Sequence, residues 1–182
     1  SRDQSPDATY LIARNAPDGP SRDDTAACPD DPLTVVNLFI SPSDPPPPDL
    51  ACIVHVTGTF QIAFSSLTAL TLPALTQVGT LYVSGNSALE HLSLPALTAV
   101  GWGMVYDNAA LTSLDLDALT GTATLELEIS LNPLLDTVGL DALAAAQSFR
   151  VIINPSLSTC EMYPVAARLD PTAAVELIGN LA

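Results

Sequence analysis

Apolar residues recur along most of this chain at a long and regular interval. When LTLPALTQV from Leu70, LSLPALTAV from Leu92, LDLDALTGT from Leu114 and VGLDALAAA from Val138 are aligned, their start points lie 22, 22 and 24 residues apart. Asparagine keeps a second register at Asn86, Asn108, Asn132 and Asn154, with spacings of 22, 24 and 22. Two independent registers with one period mark a stacked repeat. Asn180 follows 26 residues after Asn154 and opens a last coil.

Within each unit the positions five and three before the asparagine are apolar: Leu81 and Val83, Leu127 and Ile129, Phe149 and Val151, Val175 and Leu177. Gly103 with Val105 is the one departure. Alternation of this kind predicts a strand with one buried face. Leucine follows three residues after the asparagine, at Leu89, Leu111, Leu135 and Leu157, and a second alternating stretch comes next. A helical period is absent except over Asp141 to Gln147 (DALAAAQ), where a helix remains open. The expected fold is all-β, a β-solenoid of about five coils with aliphatic side chains stacked inside. At its corners an inward amide can donate to and accept from backbone groups and the next amide, so the asparagines, Asn180 included, are read as a structural ladder.

Composition changes near residue 50. The first 50 residues hold 10 of the 16 prolines and 9 of the 20 acids, whereas residues 51–149 contain no Lys or Arg. Residues 1–50 therefore read as a proline- and aspartate-rich arm and cap with one short strand over Leu33 to Ile40, and residues 51–182 as the solenoid. Lysine is absent, and the net charge of −15 excludes binding to nucleic acid, whose affinity depends on protein cations. No apolar run approaches the roughly 18 residues of a membrane-spanning helix. The chain starts at Ser1 without a charged-then-apolar leader, so a targeting segment is expected to have been removed or excluded.

Cys28, Cys52 and Cys160 lack metal-ligand spacing, and no metal or cofactor is expected. Cys28 and Cys52 bracket a proline-rich loop; they read either as a disulfide, which implies an oxidising compartment, or as two buried thiols.

The pattern GTLYVSGNSALEHLSLPALTAVG with its near copies resembles the receptor L domain family over about residues 52–182. That resemblance implies a right-handed β-helix, an N-terminal cysteine pair and a C-terminal cysteine, here Cys160 in NPSLSTC, whose partner lies past the final coil. It also implies a recognition module at a cell surface or in a secreted protein, with relatives in fungal cell walls and on bacterial surfaces. The lysine-free composition and the lack of an N-x-[ST] sequon fit a bacterial origin.

Candidate chemistry is sparse. His55 lies in an alternating strand, and His91 beside Glu90 reads as a solvated turn; neither accompanies a nucleophile motif. Asp115 with Asp117 and Glu126 with Glu128 have same-face spacing, the arrangement a β-helical carbohydrate-active enzyme would use, but without neighbouring cations they read as a solubilising face. Thr76, Thr98 and Thr120 form a column, the basis of a third reading as an ice-binding surface. More suggestive are the outward strand positions: Tyr82, Met104 and Tyr106, Glu128, and Arg150, with Trp102 just ahead. Aromatic, Met and Arg side chains are enriched at interfaces, which points to a face for a protein or glycan ligand. The alternative is that Trp102 and Met104 lie under the N-terminal arm. The expectation is a non-enzymatic, extracellular recognition or adhesion module.

Overall fold

The computed structural model describes residues 33–41 and 50–181. Strands β1 (Leu33–Val35), β2 (Leu38–Ile40), β3 (Ile53–Ala63), β5 (Gln77–Ser84), β7 (Ala99–Tyr106), β9 (Glu126–Ser130), β11 (Ser148–Ile152) and β12 (Ala174–Ile178) form one long sheet. Between them β4 (Ala69–Thr71), β6 (His91–Ser93), β8 (Ser113–Asp115) and β10 (Thr137–Gly139) form a second, shorter sheet. Every pairing in both sheets is parallel, each strand binding its counterpart one coil away. The result is a β-solenoid of about six turns, against the five expected.

Aliphatic columns fill the interior. Leu81, Val83, Val105, Ile129 and Val151 are completely buried behind the long sheet, and Leu75, Leu97, Leu119 and Leu143 stack behind the corner that follows the second. Gly103 departs from the apolar pattern for a packing reason: a Cβ there would lie 2.9 Å from Cδ1 of Leu127, which takes up the space. A second glycine column, Gly58, Gly79 and Gly101, sits where the coils approach too closely for a side chain. A Cβ on Gly79 would come within 2.7 Å of the Gly58 carbonyl.

Two expectations are corrected, and one open reading is decided. Leu33 to Ile40 is two strands, both pairing with β3, so the long sheet already begins at Leu33. The break falls at Val36 and Asn37, where Asn37 Oδ1 accepts the Thr59 N–H at 2.8 Å and Val36 O accepts that of Gly58 at 2.7 Å. Asp141 to Gln147 is not helical, because Ala144 and Ala145 donate to Thr120 O on the preceding coil rather than along their own segment. The α-helix among the described residues is instead α1 (Thr159–Arg168), whose Met162 and Val165, with Leu169 at its C-terminal cap, are buried. Arg168 ties it down by donating to Leu140 O at 2.8 Å and Leu143 O at 3.4 Å. Lastly, Val175 is 39% exposed although its counterpart Phe149 is fully buried. Among the described residues β12 has a neighbouring strand on one side alone, so its inward side chains are only partly covered, Leu177 still packing against the core.

Candidate functional site

The asparagines belong to the scaffold. Oδ1 of Asn108 accepts both the backbone N–H of Asn86 at 3.2 Å and its side-chain amide at 2.9 Å. Asn132, Asn154 and Asn180 repeat that contact down the stack. Each amide also donates to a carbonyl of the coil before, as from Asn132 to Val105 O at 3.0 Å, and those of Asn108, Asn132 and Asn154 reach a carbonyl two residues back in their own coil as well. Ser65 fills the same position one coil above Asn86.

The residue preceding each ladder position has positive φ: Phe64, Gly85, Asp107, Leu131, Ile153 and Gly179. Four of the six are not glycine, and a left-handed conformation is costly for a β-branched side chain such as Ile153. Sequence reasoning missed this column, although glycine before Asn86 and Asn180 was a signal for it.

On the outer face of the long sheet, parallel register aligns Gln61, Tyr82, Met104, Glu128, Arg150 and Glu176 in one row. Thr80, Trp102, Glu126 and Ser148 run alongside it, and Ser84, Tyr106, Ser130 and Ile152 form the row on its other side. Tyr82 and Trp102 stack with ring centroids 6.3 Å apart and planes 13° from parallel. Tyr106 meets Tyr82 edge-on at 5.8 Å, and the two hydroxyls share a hydrogen bond at 3.0 Å. Small neighbours make room for the Tyr106 ring: Ser84 and Ser130, in register on either side, are buried although they face outward. The hydrogen bond shared with Tyr82, to which the neutral Tyr106 hydroxyl contributes its proton, and the repulsion between two phenolates raise the Tyr106 phenol above its ordinary value. All three rings and Met104 are half-buried.

Toward the C-terminus the face becomes charged. Arg150 lies 3.3 Å from Glu128 and donates to Glu176 at 2.8 Å, so the expectation that Glu128 has no cation nearby is corrected. Ser130 Oγ also donates to Glu128 at 2.8 Å. The carboxylate of Glu126, exposed and in register with Trp102, has no ion pair or hydrogen bond among the described residues.

The remaining candidates lie elsewhere. His91 opens β6 rather than sitting in a turn, and its Nδ1 lies 2.8 Å from Ser113 Oγ. Asp115, which a Ser–His–Asp relay would need beside that ring, instead accepts from Ser93 Oγ at 2.7 Å and from the Asp117 N–H at 3.2 Å. Thr76, Thr98 and Thr120 do form a column, and each hydroxyl donates at 3.1 Å to a carbonyl one coil back. No group of three or more His, Cys, Asp or Glu among the described residues could hold a metal ion. Cys160 is a free, exposed thiol. The Cys28–Cys52 pairing and the cover of the aromatic face by the arm both turn on residues outside the described ones. No family model matches this chain, and neither a curated protein nor a solved structure matches it.

Proposed function

We propose that this chain is a non-enzymatic recognition or adhesion module, secreted or at a cell surface, that binds a protein or glycan through the outer face of its long sheet. The observation that carries the reading is the contiguous group of Tyr82, Trp102 and Tyr106, half-exposed on three rows of a regular parallel sheet. Such rings offer large contact area at little entropic cost, and they dominate binding energy where they occur. The repeat's resemblance to receptor L domains supports a recognition role and an extracellular setting. A hydrolytic reading has less support, since Glu128 is held by Arg150 and Ser130.

Replacing Tyr82 and Tyr106 together with Ser tests this reading on arrays of oligosaccharides and extracellular proteins. Signals given by the parent chain are expected to fall about tenfold or more while circular dichroism stays unchanged. Undiminished signals from a folded double variant would refute it.

A further inference from the structure

We infer that the partner of this face is a cationic polypeptide segment, with an arginine or lysine side chain lying over Trp102 beside the Glu126 carboxylate. The inference rests on the reading of the aromatic face as the ligand face and names the chemistry it selects.

Charge gives the first reason. The chain carries 20 acids against 5 arginines, and residues 51–149 contain neither Lys nor Arg. Arg150 and Arg168 are the arginines among the described residues, and both are engaged: Arg150 between Glu128 and Glu176, Arg168 on the carbonyls of Leu140 and Leu143. The outer face thus presents Glu126, Glu128 and Glu176 against Arg150 alone, with Asp107 just past the end of β7. Its field repels sulfated or phosphorylated ligands and concentrates cations.

Ring chemistry gives the second. The faces of Trp and Tyr are the negative parts of their quadrupoles, and a guanidinium stacks on them while its edge donates to a carboxylate. Glu126 stands one strand from Trp102 in register, about 4.8 Å away, and is free to accept. A neutral sugar could stack on the same rings but would take water from Glu126 without replacing it by a donor of opposite charge. Length favours a polypeptide over a small cation. From Tyr82 to Glu176 the row spans four strand intervals, about 19 Å, which an extended segment of about six residues covers.

Trp102 is the chain's single tryptophan, so its fluorescence reports on this face. The full chain is titrated with hexa-arginine and, separately, with the neutral cellohexaose, at low and at physiological salt. Glu126→Gln and Asp141→Asn remove the same charge, the latter from an exposed turn after β10. Hexa-arginine is expected to give a saturable change in Trp102 emission, with affinity reduced at least about fivefold by Glu126→Gln and less than about twofold by Asp141→Asn. Equal weakening by the two variants would show a diffuse field rather than a site and would overturn the proposal. So would a saturable response to cellohexaose with none to hexa-arginine, which would leave the ligand face standing with a different occupant. Silence toward both probes also overturns it, while the Tyr82 and Tyr106 array experiment decides independently whether the face binds anything.

Discussion

Asn132 shows how much one side chain carries in this fold. Its Oδ1 accepts from the backbone and the side chain of Asn108, and its amide donates to Val105 O, Ser130 O and Asn154 Oδ1, all with no exposure to solvent. Asn132→Ala strands these buried groups and should cost about 1–3 kcal/mol in denaturant unfolding; a loss below about half a kcal/mol would contradict the ladder. Its neighbour Leu131 poses the opposite case, since it is 46% exposed and held at a φ of 57°. Asn tolerates that conformation and keeps most of the backbone restriction that Gly would lose, so Leu131→Asn should stabilise the chain by about half to 1 kcal/mol. Tyr106 titrates above 10.0 because folding favours its neutral, hydrogen-bonded phenol. The stability that follows is full below the unfolded value and is lost as pH rises through the folded one. Spectroscopic titration of the phenols should show one transition moving down toward the ordinary value in Tyr82→Phe, and no movement would remove the Tyr82 contact as its cause.

At the level of elements, α1 and β7 show how local preference yields to packing. Ser158 precedes Glu161 with the spacing of a capping box, a signal for α1 that lay in the sequence, yet the Ser158 side chain makes no capping bond. Pro164 inside the helix also lacks an N–H to donate. What holds α1 is its buried stripe and the two carbonyls that Arg168 reaches. Arg168→Ala should therefore cost about 1 kcal/mol and speed hydrogen exchange in α1 more than in the long sheet. In β7 the glycine at 103 is set by Leu127 on the next strand. Gly103→Ala should lose about 1–3 kcal/mol through overpacking, and an unchanged unfolding midpoint would mean that Leu127 moves aside freely.

Across the whole molecule, each coil is held by its neighbours: the strand pairings join residues twenty or more positions apart, while local bonds such as Leu97 N–H to Leu94 O close the corners. With 11 of the 20 acids and 2 of the 5 arginines, residues 51–182 carry an excess of negative charge, and the stack also repels itself along its length. Added sodium chloride should raise the thermal midpoint in scanning calorimetry by a few degrees through screening of these carboxylates, and a midpoint that fell would show that specific ion pairs outweigh the repulsion.

The 22-residue period, the inward aliphatic positions and the asparagine ladder were legible in the residues themselves, because a stack of similar coils repeats the same burial at the same position in every copy. Tyr82, Trp102 and Tyr106 could be placed outward by alternation alone. Other features depended on what stands one coil away, and only the tertiary structure decided them. Leu33 to Ile40 becomes part of the sheet because β3 offers its edge and a bulge that Asn37 can satisfy. Glu128 acquires a cation because register brings Arg150 beside it, 22 positions along the chain. Leu131 and Ile153 adopt a conformation their own chemistry disfavours because the corner leading to each buried asparagine requires it. A residue's own preferences are local, whereas register, close approach and corner geometry are imposed by the neighbouring coil, and no single segment encodes its neighbour.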